Sequence, residues 1–398
     1  MLFRRTVLNR GRFAGKILMA LALALSCRCA WACQICLPAG MHSAAALVLR
    51  ADAVVVGRED VAVPDFARRL RILKGDPDEL ASEFYLVGQP PRRLGARARE
   101  FVCARVEGQW QWVGREDGEF ALLIGEILAR AEDWQRDPPE RVLYFSRLLG
   151  SRNRQVDNLA HLEVASAPYG QIRRISGGPT VQELRSSLGN FRLSRWHPLY
   201  ILLLAQLAEE EDRILIEEKV RRAESQGNPL HLSAWATAWI EVAADPALQF
   251  LTSSFLEPPG KDFELVRQVL LALSVQGNEG PLKLRERMVP AYRLAWNNYP
   301  EVIPLVISDL LEWERWSFLP EAEAVLQDPP EWLKREDLIA LQVYRSKALQ
   351  ADSGLRKDEV SRTERSKQGW SSLFAVIVVL LLVVAVTMTA KRAARGWP

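Results

Sequence analysis

Apolar residues recur along this chain with two different periods. Between residues 33 and 126, short β-branched and other apolar runs alternate with glycine and proline, which is typical of short strands joined by turns. From residue 138 to about residue 350, apolar residues recur at helical spacing, with Gly, Pro, Asn or Asp between the segments. The pattern predicts a β-rich domain followed by a larger α-helical domain.

The β-rich region contains five or six predicted strands and one predicted helix. The strands cover residues 54–57, 67–73, 84–88, 101–106, 109–113 and 121–125. A short helix is predicted over residues 43–49, before the first strand. This number of short strands with one helix fits a small β-barrel.

In the helical region, paired helices recur about every 35 to 45 residues, which predicts an α-solenoid over residues 138–350. Trp235 and Trp239 lie one helical turn apart and therefore share a face. They are candidates for a binding groove, although ordinary helix packing explains the same spacing.

Both ends of the chain carry topology signals. Residues 371–390 form an uncharged apolar run followed by three basic residues, which predicts a transmembrane helix and a cytoplasmic tail at 391–398. Residues 351–369 have almost no large apolar group and are interpreted as a flexible linker. Residues 1–32 carry a basic start, a short apolar core and Ala30-Trp31-Ala32, which predict a cleaved signal peptide and leave Cys33 as the new N-terminus.

An uncleaved N-terminal anchor and a lipoprotein site at Cys27 stay open as alternatives to cleavage after Ala32. Taken together, the signals predict a single-pass membrane protein whose N-terminal part lies outside the cytoplasm, in a periplasmic or extracellular space, with a cytoplasmic C-terminus. The fold class expected is therefore multi-domain α+β, with a small N-terminal β-barrel, an α-helical solenoid and one C-terminal transmembrane helix.

The formal net charge is +3, but the basic excess lies in the two ends of the chain. The part between them is mildly acidic with interspersed signs. It lacks the basic footprint of a nucleic-acid binder, so no nucleic-acid partner is expected.

Four short stretches of the β-rich region resemble the netrin-like and tissue-inhibitor-of-metalloproteinases family: Cys33-Gln34-Ile35-Cys36, Ala51-Asp52-Ala53-Val54-Val55-Val56-Gly57, Leu73-Lys74-Gly75 and Cys103. The resemblance implies an OB-like barrel over residues 33–130, in which N-terminal cysteines bridge to later strands. In the inhibitors, a Cys-x-Cys start places the α-amine on the zinc of the protease. Here the spacing is Cys-x-x-Cys.

The cysteines allow several interpretations. We expect a structural disulfide from Cys103 to Cys33 or Cys36. A redox pair of Cys33 and Cys36 is one alternative, and a zinc site completed by Cys103 and His42 is another. A c-type haem site is excluded because Leu37, not histidine, follows Cys36. No metal and no small-molecule cofactor is expected.

Residues 138–350 resemble divergent HEAT-type repeats, with a turn-then-helix pattern at 152–160. Such arrays mostly bind other proteins along a concave face, so the resemblance implies protein partners of unknown identity.

The chain has no phosphate loop, dinucleotide fingerprint, nucleophile elbow or HExxH motif. Its histidines are scattered and unpaired in the sequence, and His161 is interpreted as a surface or capping residue. We therefore expect a membrane-anchored extracytoplasmic binding or scaffold protein and not an enzyme. The alternatives are a metalloprotease-directed inhibitor acting through Cys33 and a thiol redox protein using Cys33 and Cys36.

Overall fold

The computed structural model describes residues 35–36, 43–60, 63, 65–87 and 98–352. The described residues fall into two compact units, of which the first ends at Pro300 and the second begins at Glu301. The predicted signal peptide, Cys33, His42 and everything after residue 352 lie outside the described residues. The domain boundaries at residues 130 and 138 stay predictions.

The first unit begins with one helix and five strands: α1 (Ala44–Arg50), β1 (Ala53–Glu59), β2 (Phe66–Lys74), β3 (Glu83–Val87), β4 (Glu100–Val106) and β5 (Gln109–Arg115). Ser43 caps α1 by accepting a hydrogen bond from the backbone N–H of Ala46. The strands close into a barrel in the order β1-β2-β3-β5-β4, with β3 and β5 parallel. The predicted small β-barrel and its preceding helix are confirmed, and the closure is compatible with an OB-like barrel.

Strands β1 and β4 are buried on both faces. Val55 and Cys103 pair across these strands and belong to the hydrophobic cluster formed by strand residues. Val54 and Val102 belong to a larger cluster that includes residues of the following helices. Because successive side chains of a strand point to opposite faces, these two strands join the barrel interior to the helical core.

The predicted strand at residues 121–125 is wrong. These residues lie in a helix, α2 (Gly118–Ala129), which Asp117 caps by accepting from the backbone N–H of Phe120 at 2.8 Å. The buried side chains of α2 are Phe120, Leu123, Ile124 and Ile127. This spacing is helical, whereas the short apolar run considered alone fits a strand equally well.

The remaining helices of the first unit are α3 (Ala131–Arg136), α4 (Pro138–Ser146), α5 (Arg154–Ala165), α6 (Tyr169–Ile172), α7 (Val181–Gly189), α8 (His197–Leu207), α9 (Glu210–Gln226), α10 (Leu232–Ala243), α11 (Asp245–Leu251), α12 (Phe263–Glu279) and α13 (Leu282–Asn298). Helices α8, α10 and α12 pack in succession, while α7, α9 and α13 pack against α8, α10 and α12 respectively. The mostly helical character predicted for this region is confirmed.

The second unit contains α14 (Ile303–Glu312), α15 (Leu319–Gln327) and a further helix, α16, at residues 335–352. Tyr344 on α16 is fully buried and organises the turn before α15. Its hydroxyl donates to the carbonyl oxygen of Arg315 at 2.7 Å and accepts from the backbone N–H of Phe318 at 3.1 Å.

The expected fold class and location need correction. None of the helices in the described part of the chain has the length and apolar character to cross a membrane. The run at 371–390, which carried that expectation, lies beyond those residues. The structure supports an α+β fold with a five-strand barrel and many helices; the transmembrane helix, the signal sequence and the single-pass membrane location have no support in it.

The expected disulfide is also corrected. Cys36 and Cys103 are both buried, and no disulfide joins them. The physical reason is that their side chains belong to different clusters, Cys103 to the one inside the barrel and Cys36 to the one shared with the helices. Cys103 Sγ instead lies 3.7 Å from the carbonyl oxygen of Val55, to which it donates.

Candidate functional site

A cavity of about 480 Å³ is bordered by residues of α7, α8, α9 and the start of α10. We call it the basic cleft, because five basic side chains and no acidic one line it: Arg185, His197, Lys219, Arg222 and His231. Leu188, Leu215, Leu230 and Trp235 supply apolar surface. A concave site with apolar walls and a few convergent polar groups is the usual form of a binding site.

Helix α9 forms one side of the cleft. Lys219, Arg222 and Gln226 follow each other at intervals of three and four residues, so they lie along one helix face. The helix ends at Gly227, whose φ of 62° is left-handed and suits glycine. The following turn brings His231 to the start of α10.

The charges of the cleft are unequally compensated. Arg185 binds Asp212, with Nε 2.8 Å from Oδ1, and Glu209, with Nη2 2.9 Å from Oε2. The hydrogen bonds from Arg185 lower the pKa of Asp212, so this carboxylate stays ionised. Lys219 and Arg222, in contrast, form no ion pair with any described residue. The cleft therefore holds positive charge that the described protein does not neutralise.

Two histidines face each other in the cleft. The ring centroids of His197 and His231 are 5.7 Å apart. His197 Nε2 lies 3.1 Å from the carbonyl oxygen of Asn190, and because that oxygen only accepts, Nε2 carries the proton. The pKa of His231 is lowered, first by burial and second by the charge of His197. His231 also has a φ of 56°, a strained conformation for a residue other than glycine.

The structure separates the two tryptophans that the sequence singled out. Trp235 lines the basic cleft, with Lys219 Nζ 5.9 Å from the centroid of its ring. Trp239 is 2% exposed and packs against Phe250 at 5.2 Å between ring centroids. Helix α10 is buried from Leu232 to Ile240, with Trp235 only 9% exposed, so the face that the two rings share is mainly a packing surface.

The cysteines lie away from this cleft. Cys103 belongs to the barrel interior and Cys36 to the core shared with the helices, and neither lines the cleft. Burial raises the pKa of Cys103 far above that of an ordinary thiol. In the described ranges, no group of three His, Cys, Asp or Glu side chains has an arrangement that holds a metal ion.

A second cavity, of about 560 Å³, lies near residues of α6, α8 and the end of α12. Beside it, Glu241 accepts from Tyr169 Oη at 3.0 Å, from Arg173 Nη2 at 2.8 Å and from Gln276 Nε2 at 3.0 Å. Burial, with the charge of Glu241, raises the pKa of Tyr169 well above its ordinary value. Glu241 compensates Arg173, and the lining of this cavity, unlike that of the basic cleft, also contains an acidic side chain, Glu279.

Sequence reasoning missed the histidine pair, because His197 and His231 are distant in the chain and meet only when α8 packs beside α10. Lys219 and Arg222, three residues apart on α9, were a signal in the sequence, because helical spacing places them on one face. The interpretation of His161 as a surface or capping residue is wrong. This side chain is 1% exposed, and its Nε2 is 2.5 Å from Tyr200 Oη.

Comparison with known proteins gives no family to which the chain can be assigned: no family model, curated protein or solved structure matches it.

Proposed function

We propose that this chain is a protein-binding module that holds an acidic segment of a partner protein in the basic cleft. The observation that carries the proposal is the absence of any acidic side chain from a cleft lining that contains Lys219 and Arg222 without ion pairs to described residues. Carboxylates of a bound peptide supply the missing negative charge, and charge-assisted hydrogen bonds are the stronger ones.

The apolar walls favour a peptide over a simple anion. Trp235 and Leu230 border the same cavity as the basic groups, and Leu230 is 66% exposed. If the bound peptide carries an apolar side chain next to its carboxylates, covering this apolar surface adds binding free energy. The volume of about 480 Å³ accommodates a few side chains, which suits a short segment of a partner.

The side chains that line the basic cleft suit a binding site more than a catalytic site. The cleft lining contains no Ser, Thr, Cys, Tyr, Asp or Glu side chain, so it offers no hydroxyl, thiol or carboxylate nucleophile. The proposed role is therefore recognition. It continues the expectation of a non-enzymatic binding protein that needs no cofactor.

We further propose that the barrel is netrin-like and that the helices are divergent HEAT-type repeats. The strand order with a parallel β3–β5 pair supports the first, and the succession of α8, α10 and α12 with their outer partners supports the second. The two alternatives that use Cys33 gain no support, because Cys33 lies outside the described residues and Cys36 is 3% exposed.

The test measures binding of a fluorescent oligoglutamate peptide to the full chain, with oligoglutamine and oligolysine peptides as comparisons. We expect selective binding of oligoglutamate, and a loss of about tenfold or more in the Lys219→Gln, Arg222→Gln double variant. Lys283→Gln removes an exposed lysine outside the cleft and serves as the matched control. Equal binding of all three peptides, or equal binding by the double variant and the control, would overturn the proposal.

A further inference from the structure

The histidine pair shares the cleft with the cations Arg185, Lys219 and Arg222, which come from two of the helices that border it. Arg185 comes from α7, His197 from α8, Lys219 and Arg222 from α9, and His231 from the start of α10. The acidic groups on the neighbouring segment, Glu209, Glu211 and Asp212, each pair with Arg185.

Protonation of His231 is opposed in the free protein. Burial opposes the charged form of His231, and so does the charge of the His197 ring, whose centroid is 5.7 Å away. An anion bound beside the two rings has the opposite effect on their protonation, because a nearby negative charge favours the protonated ring. Binding of the anion and binding of a proton therefore strengthen each other.

The hydrogen bonds of the two histidine rings leave a ring nitrogen free to accept a proton. His197 uses Nε2 to donate to Asn190, so a second proton goes to Nδ1 and creates a new donor. The ring nitrogens of His231 have no hydrogen-bond partner among the described residues, so they are available to a ligand.

We propose that the basic cleft takes up a proton on the His197–His231 pair when it binds its acidic partner, so that binding strengthens as the pH falls. The proposal rests on the proposed function of the same cleft and adds its regulation. Because the pKa of His231 in the free protein lies below its ordinary value of about 6.5, proton uptake on binding is expected at pH values above that lowered pKa. For one proton taken up, affinity changes by at most about tenfold per pH unit.

The experiment measures oligoglutamate affinity of the full chain from about pH 8 to about pH 6, a window in which glutamate side chains stay ionised. Calorimetry in buffers of different ionisation enthalpy counts the protons taken up on binding. We expect affinity to rise several-fold towards the acidic end, with net proton uptake near pH 6.5.

Two histidine variants separate titration from structure. His231→Asn suits a left-handed φ, and His197→Gln retains an N–H that can donate to Asn190. The combined variant is expected to bind with a flat pH profile, whereas Lys219→Gln weakens binding at every pH and keeps the slope. A flat profile in the native chain, or an unchanged slope in the double histidine variant, would overturn this inference and leave the proposed function standing. Absence of binding at every pH would overturn the proposed function itself.

Discussion

Arg141 and Glu163 are joined by two hydrogen bonds, from Nε to Oε2 at 2.6 Å and from Nη2 to Oε1 at 2.8 Å. The Glu163 side chain is 5% exposed. Its carboxylate also accepts from the hydroxyl of Ser43, the residue that caps α1. One buried carboxylate thus links the start of α1 to α4 and α5, beside the barrel.

We predict that Arg141→Met lowers the free energy of unfolding by about 3 kcal/mol, because it leaves the Glu163 carboxylate buried without its partner. Adding Glu163→Gln should restore much of the loss, since a neutral amide still accepts from Ser43. Urea unfolding of the single and the double variant measures both free energies. The control is Arg136→Met, whose partner Glu132 is 87% exposed and whose loss should stay below about 0.5 kcal/mol. Equal losses in the two single variants would contradict the prediction.

Gly280 ends α12 where a side chain has no room. A Cβ on this residue would lie 2.3 Å from the backbone oxygen of Gln276 and 2.4 Å from its Oε1. Gly280→Ala should therefore cost about 1 to 3 kcal/mol of unfolding free energy. Gly125→Ala, inside α2 with nothing within 4 Å, should instead be neutral or stabilising by up to about 1 kcal/mol. Thermal melts of the two variants give the comparison, and a stable Gly280→Ala protein would contradict the steric account.

Cys103 should resist thiol reagents in the folded protein. Burial raises the pKa of its thiol, so the reactive thiolate is scarce at neutral pH, and the side chain is fully buried. Alkylation followed by mass spectrometry should label Cys103 only after unfolding. Labelling of the native protein as fast as a small free thiol would show that the barrel opens readily.

His231 should make the fold less stable in mild acid. The pKa of His231 is lower in the folded protein than the ordinary value of about 6.5. The unfolded chain therefore binds the proton more readily, and stability present above pH 6.5 is lost as the pH falls through the folded pKa. Unfolding free energies measured across this range should fall in the native chain and fall less in His231→Asn. Identical pH profiles would rule out His231 as the cause.

Asp212 gives a further test in the same direction, at lower pH. Hydrogen bonds from Arg185 lower the pKa of Asp212 below its ordinary value of 3.8. The stability that this pair contributes is present above that value and is lost as the pH falls through the lowered pKa. Asp212→Asn should reduce stability at neutral pH and flatten the acid limb of the profile. An unchanged acid limb would contradict the assignment.

The sequence by itself determined the change from β-rich to helical structure, because the period of apolar residues changes where the backbone geometry changes. It also located α1 and five strands. It did not determine that residues 121–125 are helical, since a short apolar run suits a strand or a helix until its buried partners are known. Nor did it show that Cys36 and Cys103 belong to separate cores, because the alternation of strand faces becomes meaningful only once the barrel closes.

The basic cleft belongs to the tertiary structure. Lys219 and Arg222 show as a helical stripe in the sequence, but His197, Arg185 and His231 join them only through the packing of α7, α8 and α10. Spacing placed Trp235 and Trp239 on one face, and packing then buried Trp239 against Phe250 and left Trp235 at the cleft wall. Local periodicity sets which face of a helix is apolar; which distant charges meet is decided by how the helices stack.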